Sequence, residues 1–262
     1  LEAFLQGETR PGLAHGRPSS AGRPKLAFVF SGQGGQWLGM GRELFRQEPA
    51  FKDSLEVCDQ AVQRHAGWSI IQELMADESQ SRLGEMDVVQ PLLFAVQVGL
   101  AALWRSWGVI PDAVVGQSVG EVAAAHVAGA LSLDDAAQVV VHRSRLLKTT
   151  SGQGGMAVAA LPLAQAELAI MGFDDLISVA GSHSPNSSVL SGDPDALARV
   201  LESLDQRDVF CRMVKGVDVA SHSIQMEPLR EKLIQTISHL QARPVSTPIF
   251  STVTGDAIAG EQ

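Results

Sequence analysis

The 262-residue chain has no tyrosine, only two cysteines and no excess of basic residues. Cys58 and Cys211 are too few for the disulfide framework of small secreted domains, and they suit a reducing, cytoplasmic compartment. Lys and Arg number 20 against 29 Asp and Glu, which gives a net charge of −9. Nucleic acids and anionic membranes bind basic surfaces, so this charge argues against both as partners.

Long hydrophobic runs are also missing. The longest, residues 92–107, contains Gln97 and Arg105 and is too short to cross a bilayer, so we expect a buried helix there and no membrane partner. No secretory signal is recognisable at the N-terminus. With 45% hydrophobic and 19% charged residues, the sequence is typical of a globular protein with a substantial core.

Strand and helix patterns alternate along the first half of the chain, after a Gly-, Pro-, Arg- and Ser-rich stretch at residues 1–24 that predicts a linker. A buried strand is expected at 25–30 and another strand at 113–115, each followed by glycines. This order indicates an α/β domain with its site at the carboxyl ends of the strands. Helices are predicted at residues 41–45, 49–66, 91–107, 122–130 and 133–149.

The pattern changes at residue 155. Residues 155–214 follow the order strand, helix, strand, strand, helix, strand, which is that of a ferredoxin-like α+β unit. We therefore predict a small subdomain at 155–214, inserted into a larger one formed by 25–154 and 215–262. The second part should contribute a strand leading to His222, a helix at 228–240 and a strand at 248–253.

The most informative segment is Gly116-Gln-Ser-Val-Gly-Glu121, between a short apolar strand and a helix of small residues. A serine at the centre of Gly-x-Ser-x-Gly on a strand-to-helix corner is presented as a nucleophile, and the glycines allow the sharp turn. Ser118 is thus a candidate nucleophile, with helix capping by the same serine as the alternative.

A serine nucleophile needs a base and donors for the oxyanion. The loop after the first strand can offer the backbone N–H of Gln33 beside that of Val119. A dinucleotide-binding loop is excluded here because Trp37 occupies the third glycine position of Gly-x-Gly-x-x-Gly. His222, which has no evident structural task, is the candidate base.

Arg143 is the candidate anion-binding residue. It falls on the apolar stripe of its predicted helix, four residues from both Val139 and Leu147, whereas Arg145 does not. A buried arginine is costly without an anionic partner, so either an internal ion pair or a substrate carboxylate should meet it.

Together these residues resemble the acyltransferase domain of modular polyketide synthases and, more distantly, malonyl-CoA:acyl carrier protein transacylases. The resemblance runs from about Leu1 to Gln262. The segment that begins at Leu1 looks like the end of a ketosynthase-to-acyltransferase connector. The motifs that carry the resemblance are Phe30-Ser-Gly-Gln-Gly, Gly116-Gln-Ser-Val-Gly-Glu, His142-Arg-Ser-Arg-Leu-Leu, Gly154-Gly-Met156, Val219-Ala-Ser-His222 and Ser251-Thr-Val-Thr-Gly255.

The resemblance implies an α/β-hydrolase-like large subdomain with a ferredoxin-like insert. It implies that Ser118 takes an acyl group from coenzyme A with His222 as base, and that Gln33 and Val119 hold the oxyanion. Arg143 would bind the carboxylate of a malonyl-type unit, which then passes to the phosphopantetheine thiol of an acyl carrier protein. A ketosynthase would be a neighbour in the same polypeptide, and no metal or bound cofactor is expected.

The chain departs from the family pattern in three places. Gln117 stands where the family usually has histidine, and His183 stands where asparagine is usual. The family's Tyr-Trp-containing segment after Gly255, with a final strand and helix, has no counterpart here, so the resemblance implies a missing C-terminal part.

Four positions bear on which acyl unit is used: Gln90, Gln117, Val219 and Ser221. The segment ending at Gln90 resembles the methylmalonyl pattern, whereas Val119 resembles the malonyl one. A phenylalanine at position 221 would fill the space of an α-methyl group, and serine leaves it open. We therefore expect methylmalonyl to be favoured over malonyl. A serine hydrolase such as a thioesterase, and a non-catalytic docking domain, are the alternatives.

Overall fold

The computed structural model describes Leu5, Gly7 and residues 24–258. The predicted linker 1–24 lies outside the described residues, apart from Leu5, Gly7 and Pro24. Helices pack against both sheets of the protein, which confirms the predicted α/β class. The helices are α1 (Arg42–Gln47), α2 (Pro49–Ala66), α3 (Ile70–Met75), α4 (Met86–Ser106), α5 (Gly120–Ala128), α6 (Leu133–Lys148), α7 (Leu163–Ala169), α8 (Pro194–Asp205) and α9 (Glu227–Ile237).

The first sheet positions the candidate nucleophile. Its strands are in the order β1 (Ala27–Phe30), β2 (Ala113–Gly116), β7 (Ile249–Phe250) and β8 (Ala257–Ile258). The pairs β1–β2 and β2–β7 are parallel, and β7–β8 is antiparallel. Phe30 lies opposite Gly116, so the loop after β1 and the corner after β2 leave the sheet side by side.

Strand β1 is less buried than we predicted. Phe30 is buried, but Val29 is 74% exposed. Among the described strands β1 pairs on one side only, and successive side chains point to opposite faces of a sheet. The face with Phe28 and Phe30 packs on the helices, whereas the face with Val29 is not covered by any described element.

The predicted buried helix at 91–107 is confirmed as part of α4, which starts five residues earlier and includes Pro91 inside it. At 21 residues α4 is long and apolar enough to cross a membrane by length and composition, contrary to our expectation. It instead forms the centre of the larger core: 67% of its apolar window is buried, and it packs against α2, α5 and α6.

The second sheet is antiparallel throughout, in the order β4 (Ile177–Ser184), β5 (Ser187–Gly192), β3 (Gly155–Ala159) and β6 (Cys211–Met213). Helices α7 and α8 cover it and close a second apolar cluster. Helix α8 is capped by Asp193 and turns Leu197, Val200 and Leu204 into this cluster. The order of elements is the ferredoxin-like one that we predicted. The proposed subdomain bounds, 155–214 within 25–154 and 215–262, enclose this sheet.

Two strand predictions are wrong. Residues 218–222 are irregular, so His222 does not follow a strand, and β7 covers only Ile249–Phe250 of the predicted 248–253. Helix α3 and strand β8 were not predicted. The apolar residues at 219 and 220 have the sequence pattern of a strand, but their burial comes from contact with Gly154. A Cβ atom on Gly154 would lie 2.3 Å from the Ala220 nitrogen.

Candidate active site

Ser118 sits on a strained corner between β2 and α5. Its φ is 53°, in the left-handed region that L-residues rarely adopt. A Cβ atom on Gly116 would lie 2.3 Å from the Gly120 carbonyl oxygen, and one on Gly120 would lie 2.2 Å from that of Phe30. Both glycines are therefore required by close backbone packing, which projects the serine hydroxyl out of the sheet as in a nucleophile elbow.

The structure brings the three predicted reactive side chains together at the Ser118 hydroxyl. His222 Nε2 lies 2.8 Å from Ser118 Oγ, and Arg143 Nη2 donates to the same oxygen at 3.0 Å. Arg143 donates to a lone pair of this oxygen, and in the tautomer that carries its proton on Nδ1, His222 Nε2 accepts the serine proton. This is the arrangement in which a histidine can remove the serine proton.

His222 is held in an irregular loop with a positive φ of 62°. Just after it, Ser223 is buried, donates from Oγ to the Ala220 carbonyl at 2.7 Å and accepts from the Gln225 N–H. The backbone N–H of Ile224 donates to Ser178 Oγ of strand β4 at 3.1 Å. The loop after His222 is thus held both by bonds within itself and by a bond to strand β4.

Electrostatics keep the pair in the reactive state. Desolvation lowers the pKa of His222 below its usual value, the Arg143 charge lowers it further, and Glu121 acts in the opposite sense. A neutral imidazole is the form that can act as base. Desolvation also lowers the pKa of Arg143, to about 10, so the guanidinium stays charged at neutral pH.

Gln90 connects Arg143 to the loop after β1. Arg143 Nη1 donates to Gln90 Oε1 at 2.5 Å, and Gln90 Nε2 donates to Gln33 Oε1 at 3.1 Å. Gln90 is 3% exposed, so it acts as a buried bridge and fixes the direction of the guanidinium. The structure places this residue, which we linked to acyl-unit choice, behind the carboxylate-binding candidate.

The oxyanion candidates lie at the expected corner. A Cβ atom on Gly32 would be 3.6 Å from the Ser118 Cβ, so the loop that carries Gln33 runs against the elbow. Val119 is buried at the start of α5. Within residues 24–258, the backbone N–H groups of Gln33 and Val119 take part in no hydrogen bond, and so both remain available to an oxyanion.

A cavity of about 270 Å³ opens beside the Ser118–His222 dyad, between α6 and α9. Arg143, Ser221 and His222 line part of it, and the remaining walls are mainly leucine. Ser221 therefore borders a cavity next to Arg143 and His222. Val219 is fully buried and does not line this cavity.

Gln117 and His183 contact each other directly. Gln117 Nε2 lies 2.8 Å from His183 Nε2, and since an amide nitrogen only donates, the imidazole accepts. The two departures from the family pattern are thus one pair, which joins the elbow to strand β4. Sequence analysis named both residues without predicting the contact.

Glu121 and Thr252 were quoted within motifs but given no role. Thr252 Oγ1 donates to Glu121 Oε1 at 2.8 Å and lies 3.2 Å from the Gly116 carbonyl. The end of β7 is thereby tied to both sides of the elbow. The glutamate also raises the pKa of Arg143 and of His222. Among residues 24–258 no group of His, Cys, Asp or Glu side chains could hold a metal ion.

We expect the rate of Ser118 acylation to fall at acidic pH with a midpoint below that of an ordinary histidine. Only neutral His222 can act as base, and desolvation and the Arg143 charge lower its pKa from the usual value of about 6.5. Glu121→Gln should move this acidic limb to lower pH, because it removes a charge that raises the pKa. Arg143→Ala should move it to higher pH. The measurement is the pH dependence of labelling by an uncharged serine-directed fluorophosphonate, and a limb unmoved by both changes would contradict the assignment of His222.

A parallel sheet with Ser118 on a strand-to-helix elbow, an antiparallel insert, and a histidine 2.8 Å from that serine are features of an acyl-transferring α/β enzyme. The acyl transferase domain family matches residues 27–262, and the chain belongs to that family. Polyketide synthase GfsA of Streptomyces halstedii is 47% identical over 261 residues, which is 98% of this chain and 4% of that protein. Within the family, this is an acyltransferase domain of the modular polyketide synthase kind.

Solved structures agree. The acyltransferase domain from module 8 of the salinomycin polyketide synthase superposes with a TM-score of 0.91 at 36% identity, covering 100% of this chain and 61% of that one. The acyltransferase domain of SpnD, solved in complex with 2-(pent-4-yn-1-yl)malonyl, has a TM-score of 0.86 at 28% identity and the same coverage. The chain thus spans about three fifths of these solved domains.

Proposed function

We propose that the domain loads a malonyl-type extender unit from coenzyme A onto Ser118 and passes it to an acyl carrier protein. Ser118 Oγ attacks the thioester carbonyl as His222 takes its proton, and the carbon–sulfur bond breaks with that proton returned to the coenzyme A thiol. In the second half, His222 takes the proton of the carrier's phosphopantetheine thiol as that sulfur attacks the acyl-serine, and it passes the proton to Ser118 Oγ as the ester bond breaks. Kinetics should be ping-pong.

The observation that carries this proposal is Arg143. Its guanidinium lies 3.0 Å from the nucleophile, and none of the carboxylates in residues 24–258 forms an ion pair with it. A cation in that position is matched by a free carboxylate on the acyl unit, as malonyl-type units have and acetyl or propionyl units lack. The malonyl ligand of the SpnD domain is of the same chemical class.

Arg143→Ala should abolish the preference for malonyl-type over acetyl- or propionyl-CoA. A charge-assisted pair contributes roughly 1.5–3 kcal/mol, which is about 10- to 150-fold in kcat/KM. Arg143→Lys should recover part of the preference, since lysine keeps the positive charge but cannot form the two parallel hydrogen bonds of a guanidinium to a carboxylate. Arg145→Ala is the matched control, because that side chain is exposed and donates to the Ala66 carbonyl. Selectivity retained in Arg143→Ala would refute the carboxylate role.

We further propose that methylmalonyl-CoA is the better substrate, with malonyl-CoA and slightly larger α-substituents tolerated. Ser221 lines the cavity next to Arg143 and His222. The volume of that cavity, about 270 Å³, is far larger than the roughly 30 Å³ that a water molecule occupies in the liquid. Burial of one methyl group contributes about 0.8 kcal/mol, a roughly fourfold preference.

Ser221→Phe should reverse this preference. The aromatic ring would occupy the part of the cavity next to Arg143 and His222. Methylmalonyl loading should therefore fall at least tenfold by steric exclusion, while malonyl loading stays within a few-fold of its rate in the unmodified protein. The assay is competition between the two CoA esters on full-length protein, read as acyl-enzyme masses. A tenfold malonyl preference in the unmodified protein would show that Val119 outweighs Ser221.

The partners follow from this chemistry: an acyl-CoA donor, a carrier protein with its phosphopantetheine arm, and a ketosynthase in the same polypeptide. No other cofactor is required by the two steps. The hydrolase alternative would use an Asp or Glu as a third member, and no carboxylate among residues 24–258 hydrogen-bonds His222. Release of free acid from the acyl-enzyme, with no transfer to any carrier, would favour the hydrolase.

A further inference from the structure

Strand β4 of the antiparallel sheet touches both catalytic loops. Near its start, Ser178 Oγ accepts from the N–H of Ile224, two residues after His222. Near its end, His183 accepts from the side chain of Gln117, the residue before Ser118. We propose that β4 is a two-point brace that sets the spacing of Ser118 and His222, with Ser178 and His183 as positioning residues.

The catalytic residues need such a brace because both are strained. Ser118 and His222 have positive φ values of 53° and 62°, and such conformations persist only where the surroundings over-determine them. The two residues lie on separate loops, 104 positions apart in the chain, yet their reacting atoms are 2.8 Å apart. A single strand bonded to both loops ties their relative position to one element.

The strand is shaped for this task. Its pairing with β5 shifts register twice, between Val179 and Gly181 and again between Ser182 and Ser184. Such bulges bend a strand and redirect its side chains. The second irregularity brackets His183, so the imidazole is turned toward the elbow. His183 is exposed and Ser178 only partly buried, so neither bond contributes much to overall stability.

The inference rests on the proposed function only in taking Ser118 as the nucleophile. The test therefore uses two readouts in the full-length protein: kcat and KM for malonyl-type acyl loading, and the rate of Ser118 labelling by a fluorophosphonate. The second reagent has no carboxylate and no pantetheine, so it reports the dyad alone. If the unmodified protein labels but loads no acyl-CoA, the proposed substrate is wrong while the labelling comparison still decides on the brace.

Ser178→Ala and His183→Ala should each lower kcat and the labelling rate about three- to tenfold, the range that loss of one hydrogen bond allows. KM should change little, because Arg143 is untouched. Ser178→Thr, which keeps the hydroxyl, should restore the rate. Gln117→Ala with His183→Ala should be no slower than the slower single variant, since both remove the same bond.

Ser238→Ala is the control away from strand β4, since its exposed hydroxyl donates to the Gln235 carbonyl. It should label within twofold of the unmodified protein. Unchanged labelling in Ser178→Ala and His183→Ala would overturn the proposal, as would a rise in KM with kcat preserved, which indicates substrate contact instead. Multiplicative losses in the Gln117 and His183 pair would also overturn it.

Discussion

Ser118→Ala should abolish covalent loading of any acyl-CoA while the domain keeps its fold. The substitution removes one hydroxyl oxygen whose partners are His222 and Arg143, and it leaves the glycine-packed elbow unchanged. Without that oxygen no acyl-ester can form, so the expected loss is complete rather than partial. Intact-mass spectrometry after exposure to malonyl- and methylmalonyl-CoA measures it, with thermal unfolding to confirm the fold.

Ser182→Ala serves as the control for the nucleophile assignment, because it removes an exposed serine close to the same site. It should load as the unmodified protein does. An acyl adduct that persists on the Ser118→Ala protein, mapped to another residue by peptide analysis, would disprove the nucleophile assignment.

Ser118 and Arg143 could be named as candidates from the sequence because the patterns that point to them are local. The Gly-x-Ser-x-Gly corner needs only a strand before it and a helix after it, and the close approaches at Gly116 and Gly120 follow from that turn. The helical repeat predicted that Arg143 lies on the apolar face of its helix, and the structure shows that this position brings it to the Ser118 hydroxyl. Both features depend on residues within a few positions of each other.

What sequence reasoning missed are contacts between distant segments. Gln117 and His183 are 66 residues apart, and Thr252 lies 131 residues from Glu121. No local pattern reports such pairs, because the subdomain arrangement brings them together. The strand predicted from the apolar residues before His222 was wrong for a related reason. Those residues are buried by contact with Gly154 and do not belong to a sheet.

Edge strands are similarly hard to recognise. The β1 segment, Ala27–Phe30, is apolar on both faces, which is typical of a central parallel strand. Only the strand order β1-β2-β7-β8 reveals that β1 has a single described neighbour. Composition sets how apolar a strand is, whereas topology sets what covers it.

His222→Ala should slow acyl loading on the order of 10²–10⁴-fold, the usual contribution of a general base. The imidazole lies 2.8 Å from Ser118 Oγ, and no other histidine shares that contact among the described residues. Single-turnover measurement of acyl-serine formation isolates this step from carrier transfer. His239→Ala is the control, because that histidine is exposed and hydrogen-bonds Gln138 away from Ser118.

The backbone at position 222 requires a second variant. Its φ of 62° is tolerated by asparagine far better than by alanine, so a loss in His222→Ala alone could arise from a displaced loop. His222→Asn keeps the loop but supplies no base, and it should lose as much activity as His222→Ala. A loss of less than tenfold in His222→Asn would show that another group removes the serine proton. A large loss in both, with Arg143-dependent binding of the malonyl unit preserved, would mean that His222 acts on the proton and not on the substrate.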